Sequence, residues 1–160
     1  MKFLMTLIST LWIAMIGTLA VHADSDAPIV EEMILGDLNA PIEMIEYASM
    51  TCPHCANFHS DVYPQFKENY IDTGKVKFVF REVYFDKYGM WSSMIARCAG
   101  PDRFFGVIDQ MFEKQKTWSR AGNDLAIVTE LSKIGKLAGL DDDQINACLQ
   151  DADNLRNLVG

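Results

Sequence analysis

The chain has 160 residues, of which 49% are hydrophobic and 22% charged. That balance excludes a disordered tail and a collagen-like or low-complexity chain, and the length predicts one folded domain. A formal net charge of −8 argues against a nucleic-acid partner, because binding phosphates needs a cationic surface.

The first segment reads as an address rather than as structure. Lys2 precedes an apolar run from Phe3 to Ala20, and Val21-His22-Ala23 puts a β-branched and a small residue where a cut after Ala23 needs them. Residues 1–23 are therefore read as a secretory signal peptide and residues 24–160 as the exported domain. An uncleaved membrane anchor is the competing reading, which Thr6, Ser9, Thr10, Gly17 and Thr18 weaken. No Cys precedes Cys52, so lipid attachment to a Cys near the cut is excluded.

Ile29 to Leu35 is apolar apart from Glu31 and Glu32 and stops at Gly36-Asp37, which predicts a short strand and a reverse turn. Ile42 to Ala48 is too continuously apolar for a one-sided strand and predicts a central strand covered on both faces, with Glu46 as the exception. Behind Cys52-Pro53-His54-Cys55, the residues Phe58, Val62, Phe66 and Tyr70 recur every fourth position and predict a helix. Pro53 suits its first turn, Pro64 should kink or interrupt it, and Thr73-Gly74 should stop it. Val76 to Val83 is rich in β-branched and aromatic residues and predicts a strand, so a right-handed βαβ crossover with parallel strands is expected.

From Met90 the pattern turns helical. Trp91, Met94, Ile95 and Cys98 share one face, as do Leu125, Val128, Leu131 and Ile134, and then Ile145, Cys148, Leu149, Ala152 and Leu155. Gly139 is placed to end the second segment, and Asp141 with Gln144 to form a capping box opening the third. The expectation is a helical subdomain over about 90–158, with Phe104, Phe105, Met111 and Phe112 in the core.

Four cysteines, at 52, 55, 98 and 148, allow three complete pairings in an exported chain, and their uneven spacing predicts two pairs with different roles. Cys52 falls at a helix N-terminus, where unpaired N–H groups and the positive end of the macrodipole favour its thiolate. The dipole supplies about 0.3–1 kcal/mol, less than the ~1.36 kcal/mol of one pKa unit. Direct N–H to sulfur hydrogen bonds and a protonated His54 must therefore add to it. Stabilising the dithiol form makes the disulfide form oxidising, and a stable thiolate leaves readily from a mixed disulfide. Cys55, one helical turn on, is expected to face inward as the resolving thiol. A Cys-X-X-Cys is also half of a zinc site, which His59 could join, but Cys98 and Cys148 offer no second pair. Covalent haem needs His directly after the second Cys, where this chain has Ala56, and no cofactor is expected.

The run Glu46-Tyr47-Ala48-Ser49-Met50-Thr51-Cys52-Pro53-His54-Cys55-Ala56-Asn57-Phe58-His59 resembles the DsbA-like thiol-disulfide oxidoreductases of the thioredoxin superfamily. The strand near Lys77 to Val83 and the segment Arg97-Cys98-Ala99-Gly100-Pro101 extend that resemblance over most of the chain after residue 23. It implies an α/β thioredoxin-like βαβ fold with an inserted helical subdomain, Cys52 as nucleophile, Cys55 as resolving thiol, and Pro53 and His54 between them. Glu46 matches the position of a buried acid that assists proton transfer in the family, here to or from Cys55. The competing reading of Glu46 is a strand-end carboxylate that reaches water or pairs with Lys77 or Arg81.

In an oxidising compartment Cys98 and Cys148 are expected to form a structural disulfide rather than stay as two packed thiols. The implied activity is thiol-disulfide exchange in the periplasm, in the oxidant direction, on reduced or misoxidised exported polypeptides, with a membrane redox protein resetting the active pair. Members of the family also carry a cis-Pro loop followed by a strand hairpin. Pro occurs here only at 28, 41, 53, 64 and 101, so the C-terminal hairpin is expected to be missing. The alternative reading is accordingly an incomplete, catalytically weak chain that binds clients or folds poorly.

Overall fold

The computed structural model describes residues 30–159, and the expected signal peptide lies outside the described residues. Three strands, β1 (Met33–Leu35), β2 (Ile42–Ala48) and β3 (Val76–Glu82), form a sheet in the order β1-β3-β2. β2 and β3 are parallel, with Glu46 opposite Phe80, and β1 runs antiparallel to β3. The strand–helix–strand unit is thus the one expected. β1 is shorter than its apolar run. Glu31 and Glu32 at its start face solvent, and Glu32 pairs with Arg81. Gly36 ends the strand at φ +97°, and a Cβ there would lie 2.9 Å from both Ile71 Cγ2 and Val76 O, so the turn needs glycine on two counts.

Among the described residues β2 stands at an edge of the sheet rather than at its centre. The central place belongs to β3, whose Phe78 and Phe80 are fully buried, while β2 leaves Ile42 and Tyr47 exposed. Composition misled because Tyr47, apolar in pattern, is held at the surface by its hydroxyl, which accepts from Arg81 Nη1 at 2.7 Å.

The expected single crossover helix is three pieces: α1 (Pro53–Asp61), α2 (Tyr63–Phe66) and a π turn over Lys67–Ile71. The break falls at Val62, which lets Pro64 sit in the first turn of α2, where its missing N–H costs nothing. It also shifts the buried face. His59, Tyr63 and Ile71 point inward, whereas Val62 and Tyr70 are exposed, because a strict four-residue repeat drifts around a 3.6-residue helix and the π turn adds a further change of phase.

Beyond β3 the described chain is helical: α3 (Lys87–Cys98), α4 (Pro101–Glu113), α5 (Gln115–Trp118), α6 (Asp124–Leu137), α7 (Asp142–Gln150) and α8 (Ala152–Val159). α4 has no counterpart among the three predicted helical segments. Its Phe104, Phe105, Val107, Ile108, Met111 and Phe112 are all buried at helical spacing opposite a polar face of Asp102, Arg103, Gly106, Asp109 and Gln110, and α4 packs on α1, α3, α6 and β1. In α6 the buried stripe is Ile127, Leu131 and Ile134, and Leu125 is exposed rather than inward. The third predicted segment is broken at Asp151, whose ψ of 93° leaves the helix and whose Oδ1 accepts from the N–H groups of Asp153 and Asn154 to start α8. The expected capping box is present: Asp141 Oδ1 accepts from Gln144 N–H at 2.8 Å, and Gln144 Oε1 accepts from Asp141 N–H at 2.9 Å. Among the described residues no helix is long and apolar enough to cross a membrane.

Candidate active site

β2 ends at Ala48, and the chain turns through Ser49-Met50-Thr51 into Cys52, the N-cap of α1. Cys52 N–H donates to Ser49 O at 3.0 Å, and the buried Ser49 hydroxyl lies 3.0 Å from that of Thr51. α3 presses against this turn at Gly89, where a Cβ would come within 3.2 Å of Ser49 Oγ.

The turn is fastened from α5. Gln115 is buried, and its Nε2 donates to Met50 O and to Cys52 O, both at 2.8 Å. Sequence reasoning missed Gln115, since an amide within the polar run Glu113-Lys114-Gln115-Lys116 carries no signal of burial. Gln115→Leu removes the side-chain donor from Met50 O and leaves Cys52 O with the Ala56 N–H alone, and is expected to cost about 1–3 kcal/mol. A fall in the urea midpoint with unchanged slope checks this.

The two free thiols lie in opposed environments. Burial disfavours the Cys52 thiolate, but hydrogen bonds from the Cys55 thiol and from the backbone N–H groups of Cys55 and His54 outweigh it and hold Cys52 below the ordinary thiol value. Burial pushes Cys55 up to about 11, helped by its hydrogen bond to Cys52 and by the charge of Glu46. The helix start thus favours the thiolate form at Cys52 and the thiol form at Cys55. His54 acts here through its backbone N–H; its imidazole is exposed and makes no hydrogen bond among the described residues. Pro53, also exposed, occupies the first helical position.

Glu46 pairs with neither Lys77 nor Arg81, which are taken by Glu43 and Glu32. Its Oε2 lies 3.1 Å from Nε2 of His59, one turn of α1 beyond Cys55. The His59 ring is stacked on Phe112 with centroids 4.1 Å apart and leans on Tyr63 at 4.6 Å. Burial opposes charge on this imidazole, yet the Asp109 and Glu46 carboxylates together raise it above the usual histidine range. His59, weighed from sequence only as a zinc ligand, is thus engaged by two carboxylates, and no group of three or more His, Cys, Asp or Glu among the described residues is arranged to hold a metal. The other two cysteines, Cys98 and Cys148, form a disulfide that joins α3 to α7, with Cα atoms 6.2 Å apart.

Comparison with known proteins places this geometry. The sequence family described as Thioredoxin matches residues 29–159. Alpha-DsbA1 of Wolbachia pipientis superposes with a TM-score of 0.75 at 37% identity, covering 82% of this chain and 66% of that one. A Rickettsia bellii relative, provisionally named a protein-disulfide oxidoreductase, is 36% identical over 121 residues, 75% of this chain and 46% of its own length. Disulfide bond formation protein D of Bacillus subtilis is 35% identical over 88 residues, 51% of this chain and 39% of that protein. The chain belongs to the thioredoxin family, among its DsbA-like members, and its mixed α/β fold is theirs. It spans about half the length of the relatives it matches.

Proposed function

We propose that the chain is a thiol-disulfide oxidoreductase that oxidises exported polypeptides through Cys52 and Cys55. The observation that carries this reading is the split between the two thiols, one lowered at the N-cap of α1 and one pushed up to about 11 beneath it. A client thiolate attacks Cys52 Sγ of the active disulfide, and Cys55 leaves and takes up a proton. A second client thiolate then attacks the client sulfur of the mixed disulfide and releases Cys52 as thiolate. Stabilising that thiolate favours the reduced protein, which supports the oxidant direction. Pro53 fixes the helix start, the His54 N–H holds the Cys52 sulfur, and Glu46 supplies or removes the Cys55 proton.

Export to the periplasm is part of the proposal, supported by Lys2, the apolar run to Ala20 and the Val21-His22-Ala23 cut site. The clients would be reduced or misoxidised exported polypeptides, and a membrane redox protein would return the Cys pair to its disulfide. The names of the Rickettsia, Wolbachia and Bacillus relatives support the reaction class. The test is stoichiometric: the oxidised chain is mixed with reduced, denatured ribonuclease in buffer free of other oxidants. Recovery of ribonuclease activity, matched by loss of the Cys52–Cys55 disulfide, is expected. Recovery no faster than with Cys52→Ser contradicts the reading.

A further inference from the structure

Glu46 has little contact with water of its own. Its side chain is 11% exposed, and the one beside it, His59, is 3% exposed. Among the described residues the far nitrogen of that ring, Nδ1, has no hydrogen-bond partner, and neither has the buried hydroxyl of Tyr63 next to it. Both residues line a cavity of about 350 Å³. Two buried polar atoms facing a space of that size are the setting in which proteins hold water. Asp109 lines the same cavity, stands 3.6 Å from Nδ1 and is 46% exposed, which connects the ring to solvent.

We propose that His59 is the proton conduit of the site, carrying protons between Glu46 on its Nε2 side and the Asp109-lined cavity on its Nδ1 side. This rests on the Cys52–Cys55 reading and supplies a route by which the half-buried Cys55 gains and loses its proton. The charged groups facing His59 are Glu46 from β2 and Asp109 from α4. Lys67 and Glu113 also line the cavity, but Lys67 is paired with Asp72 and Glu113 accepts from Gln110 Nε2.

Glutathione shows the balance. Attack of its thiolate on Cys52 Sγ forms the mixed disulfide, breaks the Cys52–Cys55 bond and leaves the electron pair on Cys55. Cavity water protonates His59 at Nδ1, the Nε2 proton passes to Glu46, and Glu46 protonates Cys55. The ring is left as the Nδ1–H tautomer. In the opposite half-reaction the reduced pair meets oxidised glutathione: Cys52 forms the mixed disulfide and releases one glutathione thiolate. Cys55 then gives its proton to Glu46 and displaces the second glutathione thiolate. That proton reaches Nε2, and the one on Nδ1 leaves to the cavity, which restores the first tautomer.

The reduced chain is mixed with oxidised glutathione, quenched in acid at intervals and weighed intact, so that formation of the Cys52 adduct and its closure by Cys55 are timed separately. His59→Gln can keep a hydrogen bond to Glu46 but cannot carry a proton through. It is expected to slow closure by at least about tenfold near neutral pH while adduct formation keeps its rate, and the deficit should shrink as hydroxide takes over at higher pH. Asp109→Asn should slow the same step less. Closure at the normal rate in both variants overturns the conduit, as does equal slowing of both steps in His59→Gln, which would mark a structural residue. If His59→Gln does not fold, Asp109→Asn alone decides, with unaltered closure as the contrary result. A wild-type chain that forms no Cys52 adduct refutes instead the Cys52–Cys55 reading on which the proposal stands.

Discussion

Replacing Cys98 and Cys148 together by Ala is expected to lower the unfolding free energy by about 4 kcal/mol. That is the loop-closure entropy of a bridge across a sequence separation of 50 residues. For a domain of this size the melting temperature should drop by on the order of 15 °C. The bridge fastens α7 to α3, whereas α1, which carries the active pair, packs on α4. Stability and chemistry should therefore separate: Cys52 alkylation should keep its pH dependence while the melting temperature falls. Calorimetry of the double variant beside the oxidised wild type measures the effect, and a loss below about 1 kcal/mol would mean that the α3–α7 packing holds without the bond.

Cys55→Ser should leave Cys52 able to form a glutathione adduct and almost unable to resolve it. The second sulfur competes as an intramolecular nucleophile, and its loss leaves only external thiol, which should slow release by at least about a hundredfold. Intact mass spectrometry should show a persistent single adduct on Cys52, absent from Cys52→Ser. Rapid turnover by Cys55→Ser would mean that Cys55 takes no part in release.

What could be read from the chain was what short stretches encode. The βαβ unit, the Cys-Pro-His-Cys helix start and the Asp141–Gln144 box each lie within one element or between neighbours, so composition and spacing expose them. What stayed hidden was set by distant partners. Gln115 reaches the Cys52 turn across more than sixty residues, and Glu46 meets His59 across thirteen. The surface place of β2 depends on which strand stands centrally, and the run Ile42–Ala48 reads the same at an edge as in the middle. α4 did carry a legible signal: Phe104, Phe105, Ile108, Met111 and Phe112 recur at three- and four-residue spacing on one face, with Asp102, Arg103, Gly106, Asp109 and Gln110 on the other, and the run was read as core without being read as a helix of its own. His54 drew notice as a charged neighbour of the thiols, yet its imidazole is exposed while its backbone N–H reaches the sulfur, a contact that any residue but proline supplies at that position.

The central claim is that the N-cap of α1 makes Cys52 the nucleophile, while partial burial and the hydrogen bond to Cys52 keep Cys55 a thiol. The most direct measurement is the pH dependence of alkylation of each cysteine in the reduced chain, by brief iodoacetamide pulses and peptide mapping. Cys52 should reach half its maximal rate below the ordinary thiol value, because its thiolate is the stabilised form. Cys55 should stay silent through that range and react only as the pH nears its raised value of about 11. A Cys52 that titrates at or above the ordinary value, or a Cys55 that reacts first, would contradict the account.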